Sequence, residues 1–310
     1  MKKRFCLIGI ITALIVAGVA LASCSNLIED LKAKDSGLGM WPQTIKAAGV
    51  TVDESDSKVV GIFTYYKGSD GAWYVKQQEK AYSTGYKYSD GTDVAQSDAN
   101  SYKYFKVEPI KWVVLTDNYS GKKLLHSEKI LIGRRYDDDS NNYRNSEIRS
   151  WLNGDFYNTA FTSSEQNRIA DTNVDNSARS TNPDSNPNLW NSGANSYACE
   201  DTTDKIFLLS EQEVTKSEYG FAEYDVYKGD SNGTTESTRI PMTTDFAKAS
   251  GAYQNTTEGY GGGWWLRSPT STTSTLARGV SYRGGSSKAD NSGDIVYSTY
   301  GGVCPALCLN

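Results

Sequence analysis

A long polar stretch enclosed by two apolar ones, near the end of the chain, restricts the fold more than any other feature. The sequence "GGGWW" precedes this stretch and "VCPALCLN" follows it, and both are typical of core strands. Ser, Thr, Gly, Tyr and Asn make up 23 of the 35 residues from 268 to 302. The chain must therefore place a long polar segment at the surface just before its last core strand. This pattern favours a β-rich domain with large loops.

The N-terminus has the pattern of an export signal. A cationic start, "MKKR", is followed by the apolar residues 5–22 and then by "LASC", which ends at Cys24. This order resembles the lipobox of bacterial lipoproteins, in which the chain is cleaved before the cysteine and the cysteine carries the lipid. A plain transmembrane anchor is the alternative, because 18 mostly apolar residues nearly span a bilayer. The lipobox predicts a signal peptide over 1–23, lipid attachment at Cys24, and an exported protein that is lipid-anchored to the cell envelope and exposed at its surface.

Charge and composition exclude several classes of function. The net charge of -5 leaves no basic footprint for a nucleic acid, so no nucleic-acid partner is expected. Tyrosine occurs 21 times, whereas histidine occurs once, which favours an extracellular domain over a metabolic enzyme. We predict a polar tether over 24–57 and a single domain over 58–310, which is long enough to bury a large core.

The spacing of apolar residues predicts strands first and helices later. "VVGIFTYY" has the composition of a strand, and two apolar runs flank "DNYSG", which predicts a hairpin. "NSEIRSWLNGDFYNTAF" then changes to helical spacing, with Ser146 as the cap and Trp151 on the buried face.

Two further helix starts are predicted by a Ser or Thr that is followed three residues later by Glu. The pairs are Thr162 with Glu165 and Ser210 with Glu213. Between them, the Asn/Ser/Pro-rich residues 173–196 form a loop that is longer than a compact domain normally contains unless the loop has a use.

Six sequence blocks follow one another in order: "IKWVVL", "LLHSEKIL", "NSEIRSWLNGDFYNTAF", "KIFLLSEQE", "WWLRSP" and "GVCPALCLN". They resemble the motifs of a bacterial domain family of unknown function, over about 104–310. The family's order of elements is similar to that of the C-type-lectin fold in its formylglycine-generating-enzyme form. This resemblance implies an α+β, C-type-lectin-like domain of short antiparallel sheets with two or three helices and long loops. The family pattern has Arg where this chain has Cys304, so any salt bridge made by that Arg would be missing here.

Two candidate sites for metal or acid–base chemistry are weak in this sequence. His126 is the single histidine, so a zinc site or a histidine-dependent triad has no second member, and we expect a surface histidine. Asp137, Asp139 and Asn141 alternate as they do at the start of a calcium loop. The sixth position is not Gly and the twelfth is Ile148 rather than Glu. We therefore expect a solvated turn and no metal.

Three cysteines remain beyond the signal: Cys199, Cys304 and Cys308. Cys199 could pair with one of the other two, or all three could stay as unpaired buried thiols. Cys304 and Cys308 also resemble the cysteine pair of the formylglycine-generating oxidases, which use copper, although the spacing and context differ. Such an oxidase is one alternative function. No catalytic residue and no cofactor are predicted.

The tandem tryptophans Trp264 and Trp265 point to opposite faces if they lie on a strand. One is then expected in the core, and the other on the floor of a surface groove.

The polar stretch has the composition of a binding surface. Tyr, Ser, Gly and Asn dominate antibody paratopes, because Tyr supplies contact area at low entropic cost and the small residues adapt. Lys, Glu, Gln, Met and Trp total 52 of 310 residues in the chain, yet Lys288 alone represents them in the 33 residues 270–302. These five types are the ones that randomising adenines in AAC or AAT codons cannot produce. The stretch therefore resembles the variable segments of retroelement-diversified proteins, whose C-type-lectin folds carry them near the C-terminus. A low-complexity surface loop is the alternative.

These observations predict a surface-displayed lipoprotein that binds an extracellular protein or glycan and is not an enzyme. A structural envelope lipoprotein is a further alternative. Aromatic and Arg side chains are the usual energetic anchors of binding surfaces. The predicted ligand-binding residues are Arg278, Ser281, Tyr282, Arg283, Asn291, Tyr297 and Tyr300.

Overall fold

A computed structural model describes residues 37–96, 100–181, 195–222, 237–257, 261–271, 273–284 and 293–310. The predicted signal peptide, Cys24 and Asn291 lie outside these residues. Among the residues that are described, no helix combines the length and the apolar character needed to cross a membrane.

The first sheet has five antiparallel strands in the order β1-β5-β4-β3-β2. Residues 24–57 were predicted to form a polar tether, but residues 40–57 of this segment contribute β1 and most of β2 to the sheet. Trp41 is completely buried. "VVGIFTYY" is likewise two strands, which a turn at Gly61 joins with φ 55°. The strands are β1 (Met40–Ile45), β2 (Val52–Val60), β3 (Phe63–Gly68), β4 (Trp73–Gln78) and β5 (Tyr102–Pro109).

The second sheet places the last strand of the chain in the interior. Its order is β12-β18-β7-β6, and all of its pairs are antiparallel. The predicted hairpin is confirmed: Ser120 and Gly121 both have positive φ, as a two-residue turn of the I′ type requires. The strands are β6 (Trp112–Tyr119), β7 (Lys122–Ser127), β12 (Ile206–Phe207) and β18 (Ala306–Leu309).

The third sheet takes in much of the polar stretch. Its order is β16-β15-β14-β17-β9, in which β14 and β17 are parallel and the other pairs are antiparallel. Two strands of the stretch, β15 and β16, thus extend the sheet that starts from the two tryptophans. The strands are β9 (Ile132–Gly133), β14 (Trp264–Pro269), β15 (Leu276–Val280), β16 (Asp294–Ile295) and β17 (Gly302–Val303).

Two short strand pairs complete the β-structure of the described residues. A parallel pair joins β8 (Lys129–Ile130) to β13 (Met242–Thr243). An antiparallel pair joins β10 (Thr172–Val174) to β11 (Thr202–Asp204).

The predicted helix over "NSEIRSWLNGDFYNTAF" is confirmed. The Ser146 hydroxyl accepts a hydrogen bond from the Arg149 amide and caps α1 (Glu147–Trp151). The helix continues through a π-helical turn, Leu152–Phe156, into α2 (Tyr157–Ala160). The remaining α-helices of the described residues are α3 (Ser163–Gln166), α4 (Ala178–Thr181) and α5 (Asp245–Ala249).

The two predicted helix starts behave differently. Thr162 and Glu165 form the full reciprocal capping box at the start of α3. Ser210 and Glu213 exchange the same two backbone bonds, at 2.7 and 3.2 Å, but only a single 3₁₀ turn follows.

One hydrophobic core connects the elements from Met40 to Cys308. At its centre, the ring of Trp41 packs against those of Trp151, Phe156 and Phe246, at centroid distances of 6.0, 4.9 and 6.3 Å. The first sheet is therefore part of the same core as the helix. Mostly short antiparallel sheets, few helices and connecting loops confirm the α+β class.

Candidate ligand-binding groove

Four tyrosines from separate parts of the chain meet beside the third sheet. Tyr82 lies between Tyr300 and Tyr253, with ring centroids 4.7 and 5.4 Å away, and Tyr253 lies 5.7 Å from Tyr282. These distances are those of interacting aromatic pairs. The four rings therefore form one continuous row, which we call the tyrosine row.

The tyrosine row lines a cavity of about 390 Å³, here called the tyrosine groove. Glycines 263, 279, 293 and 301 also line it, together with Trp264 and Trp265. At Gly301 a Cβ atom would lie 2.0 Å from the Trp265 indole nitrogen. The absence of a side chain there allows the backbone to cross the indole, which keeps the groove open.

Backbone hydrogen bonds hold the tyrosine row in place. The Tyr253 amide donates to the Tyr300 carbonyl at 2.8 Å, and the Gly261 amide donates to the Tyr282 carbonyl at 3.1 Å. The Gln254 amide donates to the hydroxyl of Tyr86 at 2.9 Å. Because these bonds connect the segments that carry the rings, much of the groove is preorganised.

Asp294 gives the tyrosine groove an acidic group. The Tyr300 hydroxyl donates to its Oδ1 atom at 3.4 Å. Although much of Asp294 is open to solvent, desolvation by the protein atoms around its carboxyl group raises its pKa. Desolvation likewise raises the pKa of Tyr300. The groove thus combines aromatic faces with a carboxyl group and several hydroxyls that can exchange hydrogen bonds with a ligand.

The structure brings three of the predicted binding residues to the groove: Ser281, Tyr282 and Tyr300. Arg283 is half-buried, its guanidinium lies 5.4 Å from the centroid of the Tyr282 ring, and it is not among the residues that line the groove. Tyr297 is 55% exposed but does not line the groove.

The prediction that Arg278 contacts the ligand is wrong, since its side chain is only 1% exposed. It lies on β15, which has neighbours on both edges, β14 and β16, and residues 277–280 are all buried. A side chain in this position cannot contact a ligand at the surface.

Sequence reasoning missed Tyr82 and Tyr253. Tyr82 is 44% exposed and belongs to the sequence "AYSTGYKYSDG", which has the same Tyr, Ser and Gly composition as the C-terminal stretch. That composition could have identified Tyr82, whereas no local signal distinguishes Tyr253.

Both tandem tryptophans are buried and both also line the tyrosine groove, so the expected division into one core residue and one groove residue is not observed. The Trp265 indole donates to the Arg134 carbonyl at 2.8 Å, and the Trp264 indole donates to the Arg239 carbonyl at 3.3 Å. Their main role is to pack the third sheet against its neighbours.

His126 is not a surface histidine. It lies on the central strand β7, is 6% exposed, and its ring centroid is 5.2 Å from that of Trp264. Desolvation lowers the pKa of its imidazole to about 4, so the ring is neutral at physiological pH.

The Asp137 turn serves helix α1. One carboxylate oxygen of Asp137 accepts from the amides of Asp139 and Ser140, both at 3.1 Å, and the other accepts from the Glu147 amide at 2.9 Å. Asp138 and Asp139 are exposed, as a solvated turn predicts, whereas Asp137 is buried. These backbone bonds account for the acidic run as a cap for the turn that leads into the helix.

The three cysteines of the described residues are free, which decides between the two alternatives left open by the sequence. Cys304 and Cys308 are completely buried. Desolvation raises the pKa of Cys308 to about 11 and that of Cys304 further above its ordinary value. Both groups are therefore neutral thiols at physiological pH and pack as small apolar side chains.

Arg267 of the "WWLRSP" block and Glu213 of the "KIFLLSEQE" block form an ion pair inside the core, with an Nη1–Oε2 distance of 2.5 Å. These two blocks and the closing strand β18 fall within a family-model match that covers residues 120–310. The chain belongs to the DUF6273 family, a domain of unknown function. The DUF6273 match begins later than the expected residue 104, so the "IKWVVL" block precedes it.

The first sheet, with strands from Met40 to Pro109, also lies before the DUF6273 match. Neither the curated proteins nor the solved structures contain a match to this chain.

Proposed function

We propose that this protein is a surface-displayed lipoprotein that binds an extracellular ligand through the tyrosine groove. The observation that carries this proposal is the convergence of Tyr82, Tyr253, Tyr282 and Tyr300 on one cavity. Tyr82 and Tyr253 lie outside the C-terminal stretch in the sequence. The fold therefore brings the four rings together.

The chemistry of the groove suits recognition. Tyrosine offers a large apolar face and a polar tip with few rotatable bonds, so little entropy is lost when it contacts a partner. A volume of about 390 Å³ lies within the usual range of ligand sites. The carboxyl group of Asp294 and the hydroxyl of Ser281 supply directional hydrogen bonds within the apolar lining.

The C-type-lectin-like architecture and the diversified origin of residues 270–302 belong to this proposal. Within the stretch, buried positions such as Ala277 and Val280 hold the sheet, whereas Ser281, Tyr282 and Tyr300 face the groove. A variable segment with this arrangement could change its binding surface without disturbing the strand pairing. A near-identical gene repeat that differs only at adenines, close to a reverse transcriptase gene, would test the origin.

The thiols favour a binding protein over an oxidase. Cys304 and Cys308 are fully buried in the core, and neither is among the residues that line the tyrosine groove. Replacing them would change turnover in an oxidase, whereas in a binding protein it would change only stability.

Binding is tested with the full chain on arrays of glycans and of extracellular peptides. The triple variant Tyr82→Ala, Tyr282→Ala, Tyr300→Ala should lose at least about 100-fold in affinity, because each aromatic anchor typically contributes more than 1 kcal/mol. Tyr102→Ala removes a tyrosine from β5 that is about as exposed as Tyr82, at 49% against 44%, and serves as the control. Unchanged binding by a folded triple variant would contradict the proposal.

The anchor is tested separately with Cys24→Ser. This variant should remain as an uncleaved precursor or appear in the medium, since it cannot carry the lipid. Detergent partitioning at the normal mature size would contradict the lipobox.

A further inference from the structure

A second, larger cavity of about 1120 Å³ also has Tyr82 and Tyr300 in its lining. Tyr82 and Tyr300 line both cavities, so the two cavities adjoin each other. Other lining residues are 133–135, at the end of β9 and just after it, and residues of α1 and the π-helical turn that follows it, including Trp151. We call this cavity the Arg134 cleft.

The Arg134 side chain is held in a defined position. Its amide donates to the Gly301 carbonyl at 2.9 Å, and its carbonyl accepts from the Trp265 indole at 2.8 Å. Its guanidinium lies 5.0 Å from the centroid of the Trp151 ring, a cation–π arrangement. The backbone and the stacked ring together fix the direction in which the group points.

The acidic residues of the cleft, Glu147 and Asp155, favour the charge of Arg134 from a distance but do not contact its guanidinium directly. Glu147 makes a two-point pair with the neighbouring Arg135 instead, at 2.5 and 2.7 Å. Within the described part of the chain, the Arg134 guanidinium makes no ion pair or hydrogen bond, and its Nε atom is shielded from solvent. A buried N–H group without a hydrogen-bond partner is costly, so the Arg134 guanidinium retains donors that a ligand can satisfy.

Desolvation also lowers the pKa of Arg134, although a guanidinium stays charged at any physiological pH. A carboxylate supplied by a ligand would match the planar fork of this group and offset the cost of its burial.

The other residues of the cleft limit the kind of anion. Glu147 and Asp155 line the same cavity, so a dense polyanion such as an acidic peptide would be repelled. The side chains of Asn145 and Ser150, also in the lining, can exchange hydrogen bonds with hydroxyl groups, and Tyr82 and Tyr300 offer apolar faces. A ligand with one carboxylate among several hydroxyls on a ring satisfies all of these groups.

We propose that the Arg134 cleft binds an acidic sugar, a uronate unit of a glycan, whose carboxylate pairs with Arg134. This inference names a ligand class for the surface that adjoins the tyrosine groove, and it rests on the proposed binding function through the shared rings of Tyr82 and Tyr300. Arg134 itself lies outside the tyrosine groove, so variants can separate the two sites.

The test titrates the full chain with uronate tetramers, here tetrasaccharides that carry a single uronate unit among neutral sugars, with three stereochemistries of that unit, and with the corresponding neutral tetramers, by calorimetry at low and high salt. At least one uronate tetramer should bind at least about tenfold more tightly than its neutral counterpart. Arg134→Gln should remove this difference, and Arg134→Lys should retain part of it because the charge remains without the fork. Salt should weaken the preference.

The control is Arg144→Gln, which removes an arginine that pairs with Glu200 at the surface, outside the cleft. It should leave uronate binding unchanged. Equal affinity for acidic and neutral tetramers, no binding of any uronate tetramer, or tighter binding of an aspartate-rich peptide would each overturn the inference. Unchanged ligand binding in the Tyr82→Ala, Tyr282→Ala, Tyr300→Ala variant, together with a uronate preference that Arg134→Gln removes, would count against the tyrosine groove alone.

Discussion

Arg267 and Glu213 form a two-point ion pair that is almost completely buried, with N–O distances of 2.5 and 3.0 Å. The Glu213 carboxylate also accepts from the Tyr119 hydroxyl and from the Ser210 amide, both at 2.7 Å. The pair connects β14 of the third sheet to the turn after β12 of the second. A buried guanidinium and carboxylate in this setting depend on each other, because neither can be solvated.

Removing one member of the pair should therefore be expensive. Glu213→Ala should lower the free energy of unfolding by about 3–5 kcal/mol, because it leaves the Arg267 charge buried and uncompensated. Urea denaturation of the full chain measures this change. Glu218→Ala, at an exposed carboxylate that pairs with Lys216 at 3.7 Å, is the matched control and should change stability by less than about 1 kcal/mol. Similar effects for the two variants would show that the pair is energetically unimportant.

His126 should make stability fall as the solution is acidified. Its pKa is about 4 in the folded protein, below the ordinary 6.5, so the unfolded chain binds the proton more readily. Stability is unaffected above pH 6.5 and is lost progressively as the pH falls from 6.5 towards 4. Because the chain has one histidine, a single imidazole NMR signal reports the titration. A midpoint near 6.5 would contradict the buried position, and His126→Phe should remove this part of the pH dependence.

Gly301 should not tolerate a side chain. In Gly301→Ala the new Cβ atom would lie 2.0 Å from the Trp265 indole nitrogen, so the backbone or the indole must move. We expect a loss of about 1–3 kcal/mol in unfolding free energy and a change in tryptophan fluorescence. Gly154→Ala, in the π-helical turn with no atom within 4 Å of the new Cβ, should be neutral or stabilising by up to about 1 kcal/mol. If Gly154→Ala were more destabilising than Gly301→Ala, the close contact between Gly301 and the Trp265 indole would be refuted.

Trp151 should be among the most important core residues. Its ring packs against Trp41 and Phe156 at centroid distances of 6.0 and 5.3 Å. Trp151→Ala should cost about 3–5 kcal/mol, because it removes these contacts and leaves a cavity. Trp151→Phe should cost less, since a ring still fills part of the space. Thermal unfolding of both variants measures the difference, and a near-neutral alanine variant would show that the helix is not held by this face.

The sequence by itself determined the features that depend on neighbouring residues. The Ser146 cap, the Thr162–Glu165 box and the Ser120–Gly121 turn each close hydrogen bonds over a few residues, so local chemistry is sufficient to predict them. The periodicity around Trp151 likewise identified its buried face, because a helix repeats every few residues regardless of its surroundings.

Only the tertiary structure decided which residues share a surface. Arg278 and His126 have polar side chains, yet both lie on strands with neighbours on either edge, and strand order is a long-range property. Tyr82 and Tyr300 meet at 4.7 Å although most of the chain separates them. Residues 40–57 have no clear strand pattern in the sequence, yet their first strand, β1, pairs with the distant strand β5 in the structure. Contacts of this kind arise from packing across the whole core, whose geometry no short window of sequence contains.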